Sequence, residues 1–225
     1  MSTDVKKVLL SDDNKTPSKK PMNKASRAIL AGVSLSVVAT FSVCSVLYVE
    51  RSTATLISQN ENSSMLGRVK DLLPEEAKVK GTQISCYQIK ANADIGHNQK
   101  VFVSSLDNKI LGYVLSYSTN QGYSDPLVMI CGFDKDKNVY KADIQFSTET
   151  PGLGDKVDRN HGNFLDQFTG HNLNDSDWEV KKYGGDFDYI TGSTVTSRAT
   201  VIATSKALKA LNEIELNKLP KCKVY

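Results

Sequence analysis

One run of uncharged residues sets the strongest constraint on how this chain can fold. Residues 28–49 are 22 consecutive positions without a charged side chain. At about 1.5 Å of rise per residue, a helix of this length crosses the roughly 30 Å hydrocarbon core of a bilayer. The apolar part of a cleavable signal peptide has only about 7–15 residues, so a retained signal anchor is favoured over a cleaved signal. The sequence therefore predicts a single N-terminal transmembrane helix.

Most of the excess positive charge precedes this run. Residues 1–27 contain seven basic and three acidic side chains, and the rest of the chain contains 21 basic and 22 acidic ones. Because basic segments beside a span remain in the cytoplasm, residues 1–27 are predicted to form a cytoplasmic tail. Residues 50–225 would then lie on the far side of the membrane from the cytoplasm. Their near-neutral net charge argues against a nucleic-acid-binding surface.

The region after the span divides into a connecting segment and a domain. Residues 50–80 are expected to hold a linker and a short helix, followed by the main domain at residues 81–225. The polar stretch at 52–64 could instead continue the membrane helix. Residues 66–73 have the amphipathic spacing of a short helix, which Pro74 would end.

Strand patterns dominate the first part of the main domain, and a long helix closes it. Turn residues such as Asp107 and Asn108 separate alternating apolar stretches in the manner of hairpins. The last helix should run from Thr194 or Val195 to about Leu216, with a short helix at 161–168. Strands are predicted at residues 82–90, 100–106, 110–118, 126–133, 139–146 and 178–182. The apolar face of the last helix is predicted to be Val195, Ala199, Ile202, Ala203, Ala207, Ala210, Leu211 and Ile214. This order indicates an α+β fold with a mainly antiparallel sheet and packed helices.

The cysteines after the span have no metal-like spacing. Cys131 lies in an apolar run and is expected to be a buried thiol. In an oxidising compartment Cys86 and Cys222 are the preferred disulfide pair, with three free thiols as the alternative.

Small hydroxyl residues precede the last helix, in the segment Thr191-Gly192-Ser193-Thr194. A helix start exposes unpaired N–H groups and the positive end of the helix dipole, which suits a phosphate. Taken alone, the segment is typical of an ordinary N-cap by Thr191, Ser193 or Thr194. A second candidate segment, Thr150 to Gly154, includes Gly152 and Leu153, and its glycines permit close approach to a flat ligand.

Several motifs occur together with these two segments and resemble one family. They are Ser-Cys-Tyr at 85–87, Gly-Tyr-Ser at 122–124, Glu-Thr-Pro-Gly-Leu-Gly-Asp-Lys at 149–156, and Gly-Gly-Asp-Phe-Asp at 184–188. With the single span, they resemble the G subunit of the Rnf (Rsx) electron-transport complex. The chain is also similar, less closely, to the C subunit of the sodium-pumping NADH:quinone reductase.

The resemblance implies an FMN-binding domain with FMN esterified through its phosphate to Thr194. Ser193, Thr191 and Gly192 would complete that site, together with Thr150, Gly152, Leu153 and Gly154. It further implies an ApbE-type flavin transferase for maturation and other Rnf/Rsx subunits as partners. The chain would be an electron-transfer subunit of an ion-translocating ferredoxin/NAD oxidoreductase, not an independent enzyme. Its expected location is the bacterial inner membrane, with the C-terminal domain periplasmic. The alternatives are a membrane-anchored assembly module and a flavin-based sensor.

Ser193 departs from the family pattern, which usually has alanine there. Its hydroxyl is a second possible acceptor and a second possible N-cap, although Thr194 occupies the acceptor position of the motif. Other nearby side chains are assigned modest roles. Lys181, Lys182 and Arg198 are expected to be solvated charges rather than phosphate ligands. Trp178, Tyr183, Phe187 and Tyr189 are expected in the core, and His97, His161 and His171 on the surface or in loops.

Overall fold

A computed structural model describes residues 23–90, 94–96, 99–124 and 126–222. The chain separates into two compact units, which divide between Leu56 and Ile57. Most of the predicted basic tail lies outside the described residues, as does His97.

The N-terminal helix, α1, runs from Lys24 to Leu72 without a break. Its segment Lys24–Ala54 reaches a mean hydropathy of 2.1 and is long enough to cross a membrane. Hydroxyls within this segment donate to carbonyls three or four residues earlier, as Ser34 does to Ala31 and Thr40 to Ser36, so the polar groups are satisfied inside the helix.

The continuous helix corrects one sequence expectation. Residues 66–72 are the last turns of α1, not a separate helix, and residues 52–64 continue α1, which was the alternative to a linker. Pro74 acts as expected, because α1 ends two residues before it and a short 3₁₀ turn, Glu75–Lys78, follows.

Five strands form one antiparallel meander in which each strand pairs with the next along the chain. They are β1 (Gln83–Gln88), β2 (Lys100–Leu106), β3 (Lys109–Thr119), β4 (Leu127–Asp134) and β5 (Val139–Phe146). Asp107 and Asn108 adopt positive φ angles of 48° and 63° between β2 and β3. This is the hairpin conformation that Asp and Asn tolerate best. The mainly antiparallel α+β fold is confirmed.

Two apolar clusters cover the two faces of this sheet. On one face Phe102, Val114 and Ile130 pack with Val69 and Leu72 from the end of α1. The opposite face, which includes Val101 and Val103, packs against the C-terminal helix α2, Thr194–Glu213. Val101 and Val103 thus pack on one face of the sheet and Phe102 on the other, because successive side chains of a strand point to opposite faces.

Two local predictions need correction. Residues 178–182 do not form a strand: Val180 makes one isolated bridge to Phe187, and a 3₁₀ turn, Lys181–Tyr183, follows. Only the second half of the expected 161–168 helix is helical, as a 3₁₀ turn at Phe164–Phe168. Short segments of this kind are held by tertiary contacts, which their own sequence does not reveal.

A disulfide joins Cys86 in β1 to Cys222, which confirms the preferred pairing. Backbone hydrogen bonds reinforce it, from Gln88 N to Pro220 O and from Cys222 N to Cys86 O, both 2.9 Å long. The last described residues, Pro220 to Cys222, therefore lie along the edge of β1. Cys131 is fully buried and free, and burial raises the pKa of its thiol well above the ordinary value, so it is expected to be inert.

Candidate functional site

The start of α2 is held in place by a tight turn. The backbone N–H of Ser193 donates to the carbonyl of Ile190, and the Ile190 N–H donates to Ser197 Oγ at 3.1 Å. Gly192 allows the turn because its φ is +86°. Helix α2 begins at Thr194, and Ser193, in the N-cap position, makes no side-chain capping hydrogen bond. The amide groups of the first turn consequently lack the usual cap.

The two adjacent hydroxyl residues differ in accessibility. Ser193 is only 5 % exposed, whereas Thr194 is half-buried. Thr194 also borders two separate depressions in the surface, and Ser193 borders one of them.

A cleft of about 380 Å³ lies beside this helix start. Most of the site residues predicted from the sequence line this cleft. Six of them line it: Thr150, Leu153, Gly154, Gly192, Ser193 and Thr194. Gly152 instead lines a neighbouring, larger cleft, and Thr191 is exposed and lines neither.

Glu149 ties together the walls of the cleft, a role that the sequence analysis did not assign. One oxygen of its buried carboxylate accepts from the backbone N–H groups of Tyr123 and Ser124 at 2.9 and 3.1 Å. The other accepts from Thr196 Oγ1 at 3.0 Å. Gly154 packs so closely against this carboxylate that a Cβ there would overlap it. The motif 149–156 places Glu149 beside the glycine segment, but nothing local shows which distant groups it binds.

The rim of the cleft is apolar and open. Tyr123, Leu153 and Val195 border it and remain 77 %, 50 % and 52 % exposed. The exposure of Val195 contradicts its predicted place on the buried face of α2, and Ile202 is only half-buried. The buried face instead includes Thr196, Thr200 and Thr204. Threonine is tolerated there because each hydroxyl finds an acceptor, as Thr200 does in Ser197 O.

The neighbouring cations are exposed, as expected, but two are paired. Lys181 Nζ lies 2.7 Å from Asp188 Oδ1. Arg198 forms a two-point contact with Glu179 and lies 4.9 Å from the centre of the Tyr183 ring. Hydrogen bonds from Arg198 hold the pKa of the Glu179 carboxyl below its ordinary value, and Glu179 in turn raises the pKa of Arg198. Arg198 and Thr194 border the same second depression, of about 330 Å³.

The four aromatic residues fall into two pairs. Trp178 and Phe187 are buried and stacked, with ring centres 4.5 Å apart, so their core assignment is confirmed. For Tyr183 and Tyr189 it is wrong, because they are 57 % and 38 % exposed. Each has Lys182 within about 6 Å of its ring, and the tyrosine rings thus remain at the surface beside cations.

The two described histidines have no metal-binding arrangement. His161 is exposed, as expected, and its hydrogen bond with Asp158 raises its pKa. His171 is half-buried in a loop and contacts Ser176. Within the described residues, no group of three or more His, Cys, Asp or Glu side chains could hold a metal ion.

Comparison with known proteins identifies the class first. Residues 122–209 match the family described as FMN-binding domain, and this range includes both cleft segments. The fold and cleft therefore belong to a flavin-binding class of protein.

The relatives identify the family. The chain is 31 % identical over 179 residues to the G subunit of the ion-translocating oxidoreductase complex of Salmonella typhimurium, with 78 % of this chain and 87 % of the relative covered. It is 30 % identical to the Escherichia coli K12 protein of the same name (85 % and 95 % covered) and 32 % identical to that of Cronobacter sakazakii (85 % and 94 %). The chain belongs to the family of these G subunits, and the resemblance seen in the sequence is confirmed. With its apolar helix of membrane-spanning length, it is a membrane-anchored member.

The cleft residues fit FMN. A volume of about 380 Å³ lies in the usual range for small-molecule sites. An uncapped helix start offers N–H groups to a phosphate, and the apolar rim offers surface to a flat ring. Ser193 and Thr194 contribute hydroxyl groups to the cleft lining beside that helix start.

Proposed function

We propose that this chain is the electron-transfer subunit of a membrane-bound, ion-translocating ferredoxin/NAD oxidoreductase, and that FMN is joined to Thr194 by a phosphoester. One observation carries the proposal: in a chain of the G-subunit family, the Thr194 hydroxyl lies at an uncapped helix start within the cleft of the FMN-binding domain. Esterification there holds the phosphate where the helix dipole offsets its charge.

Thr194 is the preferred acceptor for a structural reason. A transferase must reach the hydroxyl that it modifies, and Thr194 is half-buried at the border of two depressions, whereas Ser193 is almost fully enclosed. In the transfer, the Thr194 oxygen forms a bond to the phosphorus of the FMN group and loses its proton. The pyrophosphate bond of a flavin dinucleotide donor breaks at the same phosphorus, and a nucleoside monophosphate leaves. An ApbE-type flavin transferase would supply the FMN group.

FMN supplies the redox chemistry, and the protein holds and orients it. Glu149 fixes the loops on both sides of the attachment point. Tyr123, Leu153 and Val195 provide the apolar border against which a ring can rest. Thr150, Gly152, Gly154, Thr191 and Gly192 shape the backbone around it. A permanent link prevents loss of the cofactor in a compartment with little free flavin.

The proposed topology follows from the charge pattern. The tail at residues 1–27 lies in the cytoplasm, the span at 28–49 crosses the bacterial inner membrane, and the FMN-binding domain within residues 81–225 faces the periplasm. A disulfide between Cys86 and Cys222 supports an oxidising compartment for this domain. The other Rnf/Rsx subunits are its electron-transfer partners.

A denaturing gel tests the attachment. The full chain is expressed with an ApbE-type transferase, and the gel is viewed under ultraviolet light. A fluorescent band is expected for the wild type and for Ser193→Ala, and none for Thr194→Ala. A band that persists in Thr194→Ala, or no band in any of the three, contradicts the proposal.

A second measurement separates a carrier from an assembly module or a sensor. Wild type and Thr194→Ala are incorporated into the whole membrane complex, and electron transfer from reduced ferredoxin to NAD is measured. A carrier predicts that Thr194→Ala assembles normally and abolishes transfer. Undiminished transfer in the assembled variant contradicts an electron-relay role.

A further inference from the structure

The Ser193 hydroxyl is a buried polar group that lacks a partner. Ser193 is 5 % exposed, and its Oγ makes no hydrogen bond within the described part of the chain. Other hydroxyls at the start of α2 are paired: Thr196 donates to Glu149, Ser197 accepts from Ile190, and Thr200 donates to Ser197 O. Ser193 is therefore an exception among the buried hydroxyl residues at the start of α2.

Leaving a buried hydroxyl unpaired is costly, and native proteins rarely do so without a reason. Ser193 occupies the N-cap position, where a serine side chain ordinarily accepts from the helix, yet it makes no such bond. The residue lines the cleft directly beside Thr194.

We infer that the Ser193 hydroxyl donates a hydrogen bond to a non-bridging oxygen of the phosphate esterified to Thr194, and is not itself the acceptor of FMN. This rests on the proposed function. A phosphodiester oxygen carries negative charge, so a hydrogen bond to it is stronger than one between neutral groups. Ser193 and the free amides of the first helical turn would hold the phosphate together. Ser193 is thus a positioning residue for the cofactor's anchor.

The inference predicts an effect of Ser193→Ala that depends on the loading state. In unloaded protein, removal of an unpaired buried hydroxyl should leave the melting temperature unchanged or raise it. In loaded protein, the same change removes a hydrogen bond to a charged group and should lower the melting temperature by roughly 3–12 °C. The stabilisation conferred by FMN is therefore smaller in the variant than in the wild type.

The experiment uses the full chain in detergent, expressed with and without the flavin transferase. Intact mass first measures the loading of wild type, Ser193→Ala and Thr194→Ala, and thermal unfolding is then followed for each. Ser104→Ala is the matched control, because its buried hydroxyl is paired with Ala77 O at 2.7 Å. Its melting temperature should fall by the same amount whether or not FMN is attached.

The outcomes separate this inference from the proposed function. Normal loading with an equal effect of Ser193→Ala in both states overturns the inference and leaves Thr194 as the acceptor. Loading that survives Thr194→Ala but is lost in Ser193→Ala overturns both, since Ser193 would then carry the flavin.

A further experiment with inorganic phosphate tests whether Ser193 contributes to the binding of free phosphate. It is added to Thr194→Ala with and without Ser193→Ala. If phosphate alone stabilises the single variant in a Ser193-dependent way, the hydroxyl serves a general phosphate site and the inference is wrong. An equal change of melting temperature on adding phosphate to the two variants supports a role confined to the esterified group.

Discussion

Glu149 shows how much of this site depends on one buried carboxylate. Its oxygens accept hydrogen bonds from Tyr123, Ser124 and Thr196, which lie far from Glu149 along the chain, on either side of it. Gly122 and Gly154 both lie so near the carboxylate that a Cβ at either position would overlap it. The loop at Tyr123 and Ser124 and the start of α2, which border the cleft, are therefore both held by this side chain.

Glu149→Gln should weaken the domain and the cofactor site together. Glutamine is neutral, so its one amide oxygen accepts weaker hydrogen bonds from Tyr123 and Ser124 than the carboxylate does, and its NH2 group cannot accept from Thr196 Oγ1. The free energy of unfolding is expected to fall by about 1–3 kcal/mol, measured by urea unfolding through the single tryptophan, Trp178. Flavin loading should fall as well.

Glu215→Gln is the control, because its exposed pair with Lys218 should contribute less than about 1 kcal/mol. Equal stability of the two variants contradicts this role.

Local sequence signals were enough to predict several residues that line the candidate cleft, but not the hydrogen bonds of Glu149 that hold its walls together. The hydroxyls before α2 and the glycines at 152 and 154 are visible from residue type alone, and the structure brings Gly154 and Thr194 to one cleft. The Glu149 contacts span 25 to 47 residues, a separation over which no periodicity extends. The exposure of Tyr183 and Tyr189 was missed for a related reason, since aromatic composition does not reveal which face is covered.

At the scale of elements, the join between α1 and the sheet depends on Gly132 in β4. A Cβ at this position would overlap the backbone carbonyl of Leu72, near the end of α1. The helix thus approaches the sheet at a point where only a hydrogen atom fits. Around it, Leu72 and Val69 pack with Phe102 and Ile130.

Gly132→Ala should push the end of α1 away from the sheet. Overpacking against backbone is expected to lower the free energy of unfolding by about 1–3 kcal/mol, measured by urea unfolding. Gly67→Ala is the matched comparison within α1. Nothing lies within 4 Å of a Cβ there, so alanine should leave stability unchanged or raise it by up to about 1 kcal/mol. A neutral Gly132→Ala would show that the close approach is not maintained in solution.

The strands and α1 illustrate what periodicity can and cannot predict. The bounds expected for β2 and β5 agree with the structure, because turn residues mark both ends of each strand. At 52–64 the polar composition fits a loop as well as a helix, so the sequence left both alternatives open, and the structure shows the continued helix. A helix of this composition can continue from an adjacent stable one, since extending a helix costs less than starting it.

At the scale of the whole molecule, the Cys86–Cys222 disulfide closes the FMN-binding domain. It joins residues 136 positions apart, and it fixes the last described residues against the edge of β1. Covering that edge removes a row of unpaired backbone groups that could pair with another chain. A bond of this type also accords with the proposed periplasmic location.

Removing both cysteines should lower the stability of the domain without changing its site. For Cys86→Ser/Cys222→Ser, the loss is expected to be about 2–4 kcal/mol, because the unfolded chain gains conformational freedom. Reductant should shift the urea midpoint of the wild type toward that of the double variant and leave the variant unchanged. Cys44→Ser serves as the control, because it removes a free thiol and no disulfide, and its stability should equal that of the wild type.

Counting thiols tests the disulfide itself. Two reactive thiols are expected in denatured, unreduced wild type, from Cys44 and Cys131, and four would contradict the disulfide.

The central claim is that one flavin is covalently attached at Thr194, and intact mass spectrometry tests it most directly. The full chain, expressed with the flavin transferase and purified under denaturing conditions, is predicted to be heavier by one FMN group. The peptide containing Thr194 should carry that group, and Thr194→Ala should have the unmodified mass. An unmodified wild type, or an FMN group that remains after Thr194→Ala, would contradict the account.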